Sequence, residues 1–201
     1  VADAEILHTV NDVLTQVNAS PFVVKLNHRR LLTEILTYCG VPEVLHNVIC
    51  SSVDKLDKQT WENVKAEIIL KGATEKSTDL IGTYMTVHGN LFETLDCIKQ
   101  LFGDKMPEQI NAILSEMELL FNYLKAFGID QKFEFDMSLA RGLGYYTGLI
   151  FEAVIVGGFS ADNKTQVRMG SIAAGGRYDN LIGMFAEGRK VNAVGCSFGI
   201  E

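Results

Sequence analysis

Arg141-Gly-Leu-Gly-Tyr-Tyr-Thr-Gly148 lies between two runs of β character, Phe133-Glu-Phe-Asp-Met-Ser138 and Leu149-Ile-Phe-Glu-Ala-Val-Ile-Val156. The junction brings one guanidinium, two adjacent tyrosines and three glycines to the place where two strands meet. Arg is a planar, permanently charged fork of donors suited to carboxylate and phosphate. Tyr adds an aromatic wall with a polar tip, and Gly lets a ligand approach the backbone closely. Turn glycines alone leave Arg beside Tyr-Tyr unexplained, so the stretch reads as a binding site.

Working outward, alternating and β-branched runs at 133–138, 146–156, 167–174 and 191–199 predict an antiparallel sheet. Gly157-Gly158 and Asp162-Asn-Lys164 mark a long hairpin loop over 157–166, and 176–186 reads as a short helix. Between about 43 and 128 the pattern is almost wholly helical, with apolar residues three and four apart over 43–53, 58–71, 75–87, 91–102 and 107–127. Gly72, Gly89 and Gly103 punctuate these segments, and the Asp54-Lys-Leu-Asp-Lys58 cluster reads as a solvated approach to a helix. Upstream, Ile6, Leu7, Val10, Val13, Leu14 and Val17 predict a helix over 3–18 capped by Asp3. Ser20-Pro21 breaks it, Phe22–Leu26 reads as a strand feeding Asn27-His-Arg-Arg30, and a helix over 31–38 is stopped by Gly40 and Pro42. The fold class is α+β: one strand near the start, a helical excursion, then the remaining sheet. Three parts follow, with core segments at 1–42 and 129–201 and a helical insertion at 43–128.

Hydrophobic residues make up 47% of the 201, including 11 Phe and 6 Tyr, enough for a sizeable core and against global disorder. A net charge of −7 argues against an electrostatic grip on nucleic acid over the whole surface, though not against a local basic groove. Cys39, Cys50, Cys97 and Cys196 have no Cys-x-x-Cys spacing and read as free thiols of a reducing compartment. His8, His28, His46 and His88 lack metal-ligand spacing, so no zinc site is expected. No apolar run reaches the roughly 18 residues of a membrane span. The chain begins at Val1 rather than Met, so a missing targeting signal carries no weight.

Further downstream come Ser171-Ile-Ala-Ala-Gly-Gly-Arg-Tyr-Asp-Asn-Leu-Ile-Gly-Met-Phe185 and Val194-Gly-Cys-Ser-Phe-Gly-Ile-Glu201. Arg-Gly-Leu-x-Tyr-Tyr-Thr-Gly followed by Ala-Gly-Gly-Arg-Tyr-Asp resembles the two signature motifs of histidyl-tRNA synthetases. The terminal Gly-x-Ser-x-Gly-x-Glu resembles the start of motif 3 of class II synthetases. Val24-Lys-Leu-Asn-His-Arg-Arg30 and Cys50-Ser-Ser-Val-Asp-Lys-Leu-Asp-Lys58 are similar to eukaryotic-type members, so the resemblance spans essentially the whole chain.

The resemblance implies an antiparallel catalytic sheet flanked by helices, with the family's insertion domain. It implies activation of L-histidine by ATP, with Mg2+ accompanying the nucleotide, and transfer to tRNA(His) by a cytoplasmic homodimer. That chemistry needs two anions held in line and the growing phosphate charge neutralised, not a covalent nucleophile. The family's catalytic cation maps to Arg141, which would also contact ATP. Tyr145 and Tyr146 map to the histidine pocket; strand alternation would let only one enter, and Tyr146 is preferred. Gly175 and Gly176 are expected to floor that pocket, with Arg141 and Tyr146 converging above. Arg177 and Tyr178 either face histidine or lock the following helix, and Asp179 reads as a helix-start carboxylate. Gly195, Ser197, Gly199 and Glu201 are expected along ATP. Gly-x-Ser-x-Gly is also the serine-hydrolase elbow, but no strand-to-helix turn with Asp and His follows it.

Gly144 departs from the pattern, which has Asp at that position. By the resemblance, motifs 1 and 2, the motif 3 Arg and the anticodon-binding domain belong outside these residues, so the segment alone is not expected to form histidyl-adenylate. The alternative reading is a synthetase-like regulatory domain that senses uncharged tRNA without catalysis.

Overall fold

The computed structural model describes residues 1–19, 21–142, 144–156, 170–186 and 191–199, with the backbone of 158–159 and 166–167. In chain order these form α1 (Ala2–Gln16), β1 (Phe22–His28), α2 (Arg29–Tyr38), α3 (Glu43–Val53), α4 (Trp61–Leu70), α5 (Glu75–Met85), β2 (His88–Asn90), α6 (Leu91–Phe102) and α7 (Glu108–Ala126). There follow β3 (Phe133–Asp136), β4 (Leu149–Ile155), β5 (Gly158–Phe159), β6 (Gln166–Val167), β7 (Ser171–Arg177), α8 (Leu181–Phe185) and β8 (Val194–Phe198). Six strands form one sheet in the order β2-β3-β1-β4-β7-β8, while β5 and β6 pair separately.

Strand alternation divides this sheet into two unlike faces, because residues paired across a ladder point the same way. Val24 lies beside Ala153 and Phe133, Leu26 beside Phe151 and Phe135, and Phe151 beside Gly175. This apolar face is buried and packs against the helices. Leu7, Val10 and Leu14 of α1, Leu31, Leu32 and Ile35 of α2, and Phe121 of α7 all lie in the same hydrophobic cluster. The Phe121 and Phe135 rings meet edge to face with centroids 5.5 Å apart. Each fully buried side chain of this size contributes about 1.5–3 kcal/mol of transfer free energy. The alternate positions form a polar face: Lys25 lies beside Glu152 and Glu134, and Glu152 beside Ala174, which in turn lies beside Ser197.

The helices of 43–128 share this cluster with the sheet. Ile49, Ile68, Ile81, Leu95, Ile113 and Phe121 are buried in it with Val24 and Phe135. Helix ends are sealed locally. The Asn90 side chain accepts from the backbone N–H groups of Phe92 and Glu93 at the start of α6, and Thr74 accepts from that of Ser77 in α5. Gly128 takes a φ of +72° just after α7, which favours glycine.

Several elements differ from the sequence reading. The sheet is mixed, since β1 pairs parallel with β3; the helical excursion carries the chain back to re-enter alongside its starting strand. β2 was not foreseen, since three residues are too few for a periodic signal. The strand expected from 146 starts at Leu149, because Tyr145 and Tyr146 donate their backbone N–H groups to Gly142 in a turn. The strand expected over 167–174 runs instead from Ser171 to Arg177, and the helix expected from 176 begins only at Leu181. The helix expected over 58–71 spans Trp61–Leu70 and follows a 3-10 turn at Asp54–Asp57. Asp3 sits inside the first turn of α1 rather than capping it. The 157–166 loop falls mostly outside the described residues.

His28, at the end of β1, is buried, and its Nδ1 has no hydrogen-bond partner. Burial first, then the positive charges of Arg30 and Arg177, lower its pKa from 6.5 to about 4. The unfolded chain therefore takes up this proton at higher pH than the folded one, so stability falls as pH drops from 6.5 towards 4. At pH 5 the loss attributable to His28 is about 2 kcal/mol. Urea unfolding of wild type and His28→Gln at pH 7 and pH 5 should show a steeper loss in the wild type by that amount. Equal losses would mean that His28 titrates as it does in the unfolded chain.

Candidate functional site

The polar face holds a cluster of charges around Arg141. Asn27, fully buried on β1, donates through Nδ2 to the carbonyls of Met137 (3.2 Å) and Leu139 (3.0 Å) and accepts from the backbone of His28 (2.7 Å). Asp136 accepts from the Ser138 backbone N–H (2.9 Å) and hydroxyl (2.6 Å), which tightens the same turn. These bonds pin residues 136–139 over the sheet and deliver Arg141 to its polar side.

Arg141 Nη1 pairs with Glu152 of β4, Nε faces Asp54 at 3.3 Å and Nη2 faces Asp57 at 3.4 Å. Lys25 of β1 pairs with Asp136 of β3. The gap between these groups is only about 10 Å³ and is lined by both cations, the four carboxylates, Ser138 and Leu139. Burial raises the pKa of Asp54 and of Glu152 despite the pull of Arg141. In Asp136, burial acts in the same upward direction, but Lys25 and the two Ser138 bonds outweigh it and hold the carboxyl below its usual range. The Arg141 side chain keeps 38% of its surface exposed, and its ion pairs engage all three of its nitrogens.

A second cluster lies at the turn and the far strands. The Tyr145 and Tyr146 rings are 4.4 Å apart, and Tyr146 and Tyr178 are 6.5 Å apart. Burial, a hydrogen bond with Tyr145 and the nearby Tyr178 all push the Tyr146 phenol upward, keeping it neutral. Gly142, with a φ of +64°, reverses the chain so that the Tyr146 ring folds back over it. A methyl group on Gly176 would overlap the Leu149 carbonyl of β4 and lie 2.8 Å from the Tyr146 ring, and one on Gly195 would overlap the Tyr178 hydroxyl. These glycines make room for the protein's own tyrosines.

The expected site residues thus divide. Tyr146, Tyr178, Gly176 and Gly195 come together, with Tyr145 exposed at their edge. Arg141 borders a small gap lined also by Lys25, Ser138, Leu139 and the four carboxylates. Gly175 is no floor for a shared hollow: neighbouring residues of a strand face opposite ways, and Gly175 backs onto Phe151 on the helix-covered side. Arg177 donates to Asp3 of α1 (2.8–3.2 Å) and to Asp179 (3.0 Å), so its ion pairs reach the first helix rather than the one that follows it. Asp179 also accepts from the backbone of Ala193, so its work is to tie β7 to the segment before β8. Ser197 is on the polar face but exposed, while Gly199 lines a separate apolar cavity of about 210 Å³ beside α1. Glu201 lies outside the described residues.

The sequence assigns no site role to Lys25, Asp136 or Glu152, and the Asp54–Lys58 cluster that it presents as solvated instead places Asp54 and Asp57 against Arg141. A signal was available for the first three: Val-Lys-Leu, Phe-Glu-Phe-Asp and Phe-Glu-Ala each place a charge at the alternate position of an otherwise apolar strand. For Asp54 and Asp57 no local signal exists, since a carboxylate near lysines looks the same whether solvated or docked.

An α+β chain with a largely antiparallel sheet, helices on one face and charged side chains on the other has the architecture of a class II synthetase catalytic domain. The chain matches the histidyl-tRNA synthetase family over residues 1–201 and belongs to it. It is 43% identical to a mitochondrial histidine–tRNA ligase of Bos taurus and 44% identical to a cytoplasmic one of Dictyostelium discoideum, in each case over 100% of the chain and 40% of the relative. The chain thus spans about 40% of the length of these relatives. The crystal structure of histidyl-tRNA synthetase from Nostoc sp. PCC 7120 superposes with a TM-score of 0.85 at 30% identity, over 98% of this chain and 44% of that one.

The two glycine environments make opposite predictions. A methyl group on Gly175 would overlap the Gly195 carbonyl and lie 2.5 Å from Phe151, whereas one on Gly144 meets nothing within 4 Å. Gly175→Ala should lower the unfolding free energy by about 1–3 kcal/mol or more. Gly144→Ala should stay within about 0.5 kcal/mol of wild type. Comparable urea midpoints for the two variants would contradict the packing described.

Proposed function

We propose that the full-length protein is a histidine–tRNA ligase, joining L-histidine to ATP as histidyl-adenylate and passing histidine to tRNA(His). The observation that carries this reading is the end-to-end match to histidine–tRNA ligases in a chain that presents Arg141 on the polar sheet face beside Lys25. In this reading the Arg141 guanidinium exchanges a carboxylate partner for phosphate oxygen as charge grows on the α-phosphate, the kind of electrostatic help that a fixed cation supplies best. Tyr146, neutral and half-buried against Tyr178, offers a phenol to an imidazole nitrogen, with Tyr145 at the rim. Gly176 and Gly195 set the position of those rings, Arg177 ties β7 to α1, and Ser197 lies on the nucleotide side, whereas Gly199 borders the apolar cavity beside α1.

Among the described residues no group of three or more His, Cys, Asp or Glu is disposed to hold a metal ion. Mg2+ enters the proposal with ATP, as its counter-ion. The helical block 43–128 is the family's insertion, and the whole protein is a homodimer. Cytoplasmic residence is supported by relatives such as that of Dictyostelium, while mitochondrial relatives match at similar identity. The regulatory reading gains no support from relatives that carry the ligase name.

Histidine-dependent exchange of pyrophosphate with ATP by the full-length protein tests the proposal. Arg141→Ala should reduce kcat by about 10²–10³-fold. Calorimetry should still show histidine binding, because the tyrosine cluster lies outside the Arg141 gap. A wild-type protein that neither binds histidine nor exchanges pyrophosphate overturns the reading in favour of a non-catalytic module.

A further inference from the structure

Asp54 stands where the helical block meets the arginine-bearing turn. It closes α3, opens the 3-10 turn Asp54–Asp57, and lies 87 residues before Arg141 in sequence. Its carboxylate accepts from Arg141 Nε at 3.4 and 3.3 Å, and its Oδ1 also accepts the backbone N–H of Ala140 at 3.3 Å. One carboxylate therefore holds both the side chain of the arginine and the main chain leading into it.

The choice of nitrogen matters. Nε is the innermost donor of the guanidinium, so a partner there fixes the plane of the fork and leaves the outer nitrogens to point onward. Nη1 is bonded to Glu152, on a central strand of the sheet, and Nη2 faces Asp57 at 3.4 Å. Asp57 makes a single contact with Arg141, at a distance no different from those of Asp54, which makes two with Nε and a third with the Ala140 backbone. Asp54 is the least suited to leave, because it is tied to Ala140 as well.

We propose that Asp54 is a positioning residue for Arg141, which couples the α3–α4 corner of the helical block to the reaction centre. The inference rests on the ligase reading above. It gives a role to a charge cluster that the sequence presents as solvated.

The test uses the full-length protein with Asp54→Ala and Asp54→Asn, and two readouts. In histidine-dependent pyrophosphate exchange, Asp54→Ala should lower kcat at least tenfold while KM for histidine stays within twofold. Asp54→Asn keeps an acceptor oxygen and should recover a substantial part of the loss. Independently of activity, labelling with phenylglyoxal followed by peptide mass spectrometry should show Arg141 modified severalfold faster in Asp54→Ala than in wild type, with Asp54→Asn between. A kcat within twofold of wild type in Asp54→Ala overturns the proposal. So do equal losses in both variants with unchanged Arg141 labelling, which would make Asp54 a structural residue only. Should the wild type show no exchange at all, the ligase reading fails, and the labelling alone decides whether Asp54 holds Arg141.

Discussion

Arg141 can sit against the sheet only because carboxylates from separate parts of the chain converge on it. The guanidinium is partly withdrawn from water, and three carboxylates between them meet its three nitrogens. Glu152 comes from a central strand, and Asp54 and Asp57 come from the corner between two helices. Their convergence requires that the helical block dock on the sheet, that β4 keep its register with β1, and that the 136–141 turn be pinned by Asn27 and Asp136. The charge cluster and the fold specify one another.

The same register organises the rest of the sheet. With Lys25 beside Glu152 and Val24 beside Ala153, β1 and β4 place charges on one face and aliphatic groups on the other. A slip by one residue would turn Lys25 and Glu152 into the helix-packed core and expose Leu26 and Phe151. Arg177 secures the far side by joining β7 to α1 through Asp3. Helices therefore cover one face, while turns and the 54–57 corner cover part of the other. That asymmetry lets one sheet act both as a core wall and as the bed of a polar site.

Much of this was legible in the chain. Helical periodicity located α1, α3, α5, α6 and α7 closely, because each buries a stripe spaced at three and four residues. Strands β1, β3, β4, β7 and β8 were legible though not all their ends, while β2 and β5 were not. Tyr146-Thr-Gly reads as β until the Gly142 turn is known to claim the Tyr146 amide, and Gly175-Gly-Arg reads as a helix approach until its pairing with Phe151 and Ile150 is seen. The parallel pairing of β1 with β3 had no signature, since relative strand direction is decided by where the connecting helices pack.

Sequence by itself determined the α+β class, the helix-rich middle, the residue types of the binding turn and the family to which the motifs point. These are local or linear properties, set by periodicity and by the order of side chains. Tertiary structure alone decided that Gly176 and Gly195 accommodate tyrosines, that Gly175 faces the core, that Arg177 pairs with Asp3 of α1, and that Arg141 meets Asp54, Asp57 and Glu152. Those outcomes depend on which face each residue takes and on contacts between segments tens of residues apart. No short window of sequence contains that information.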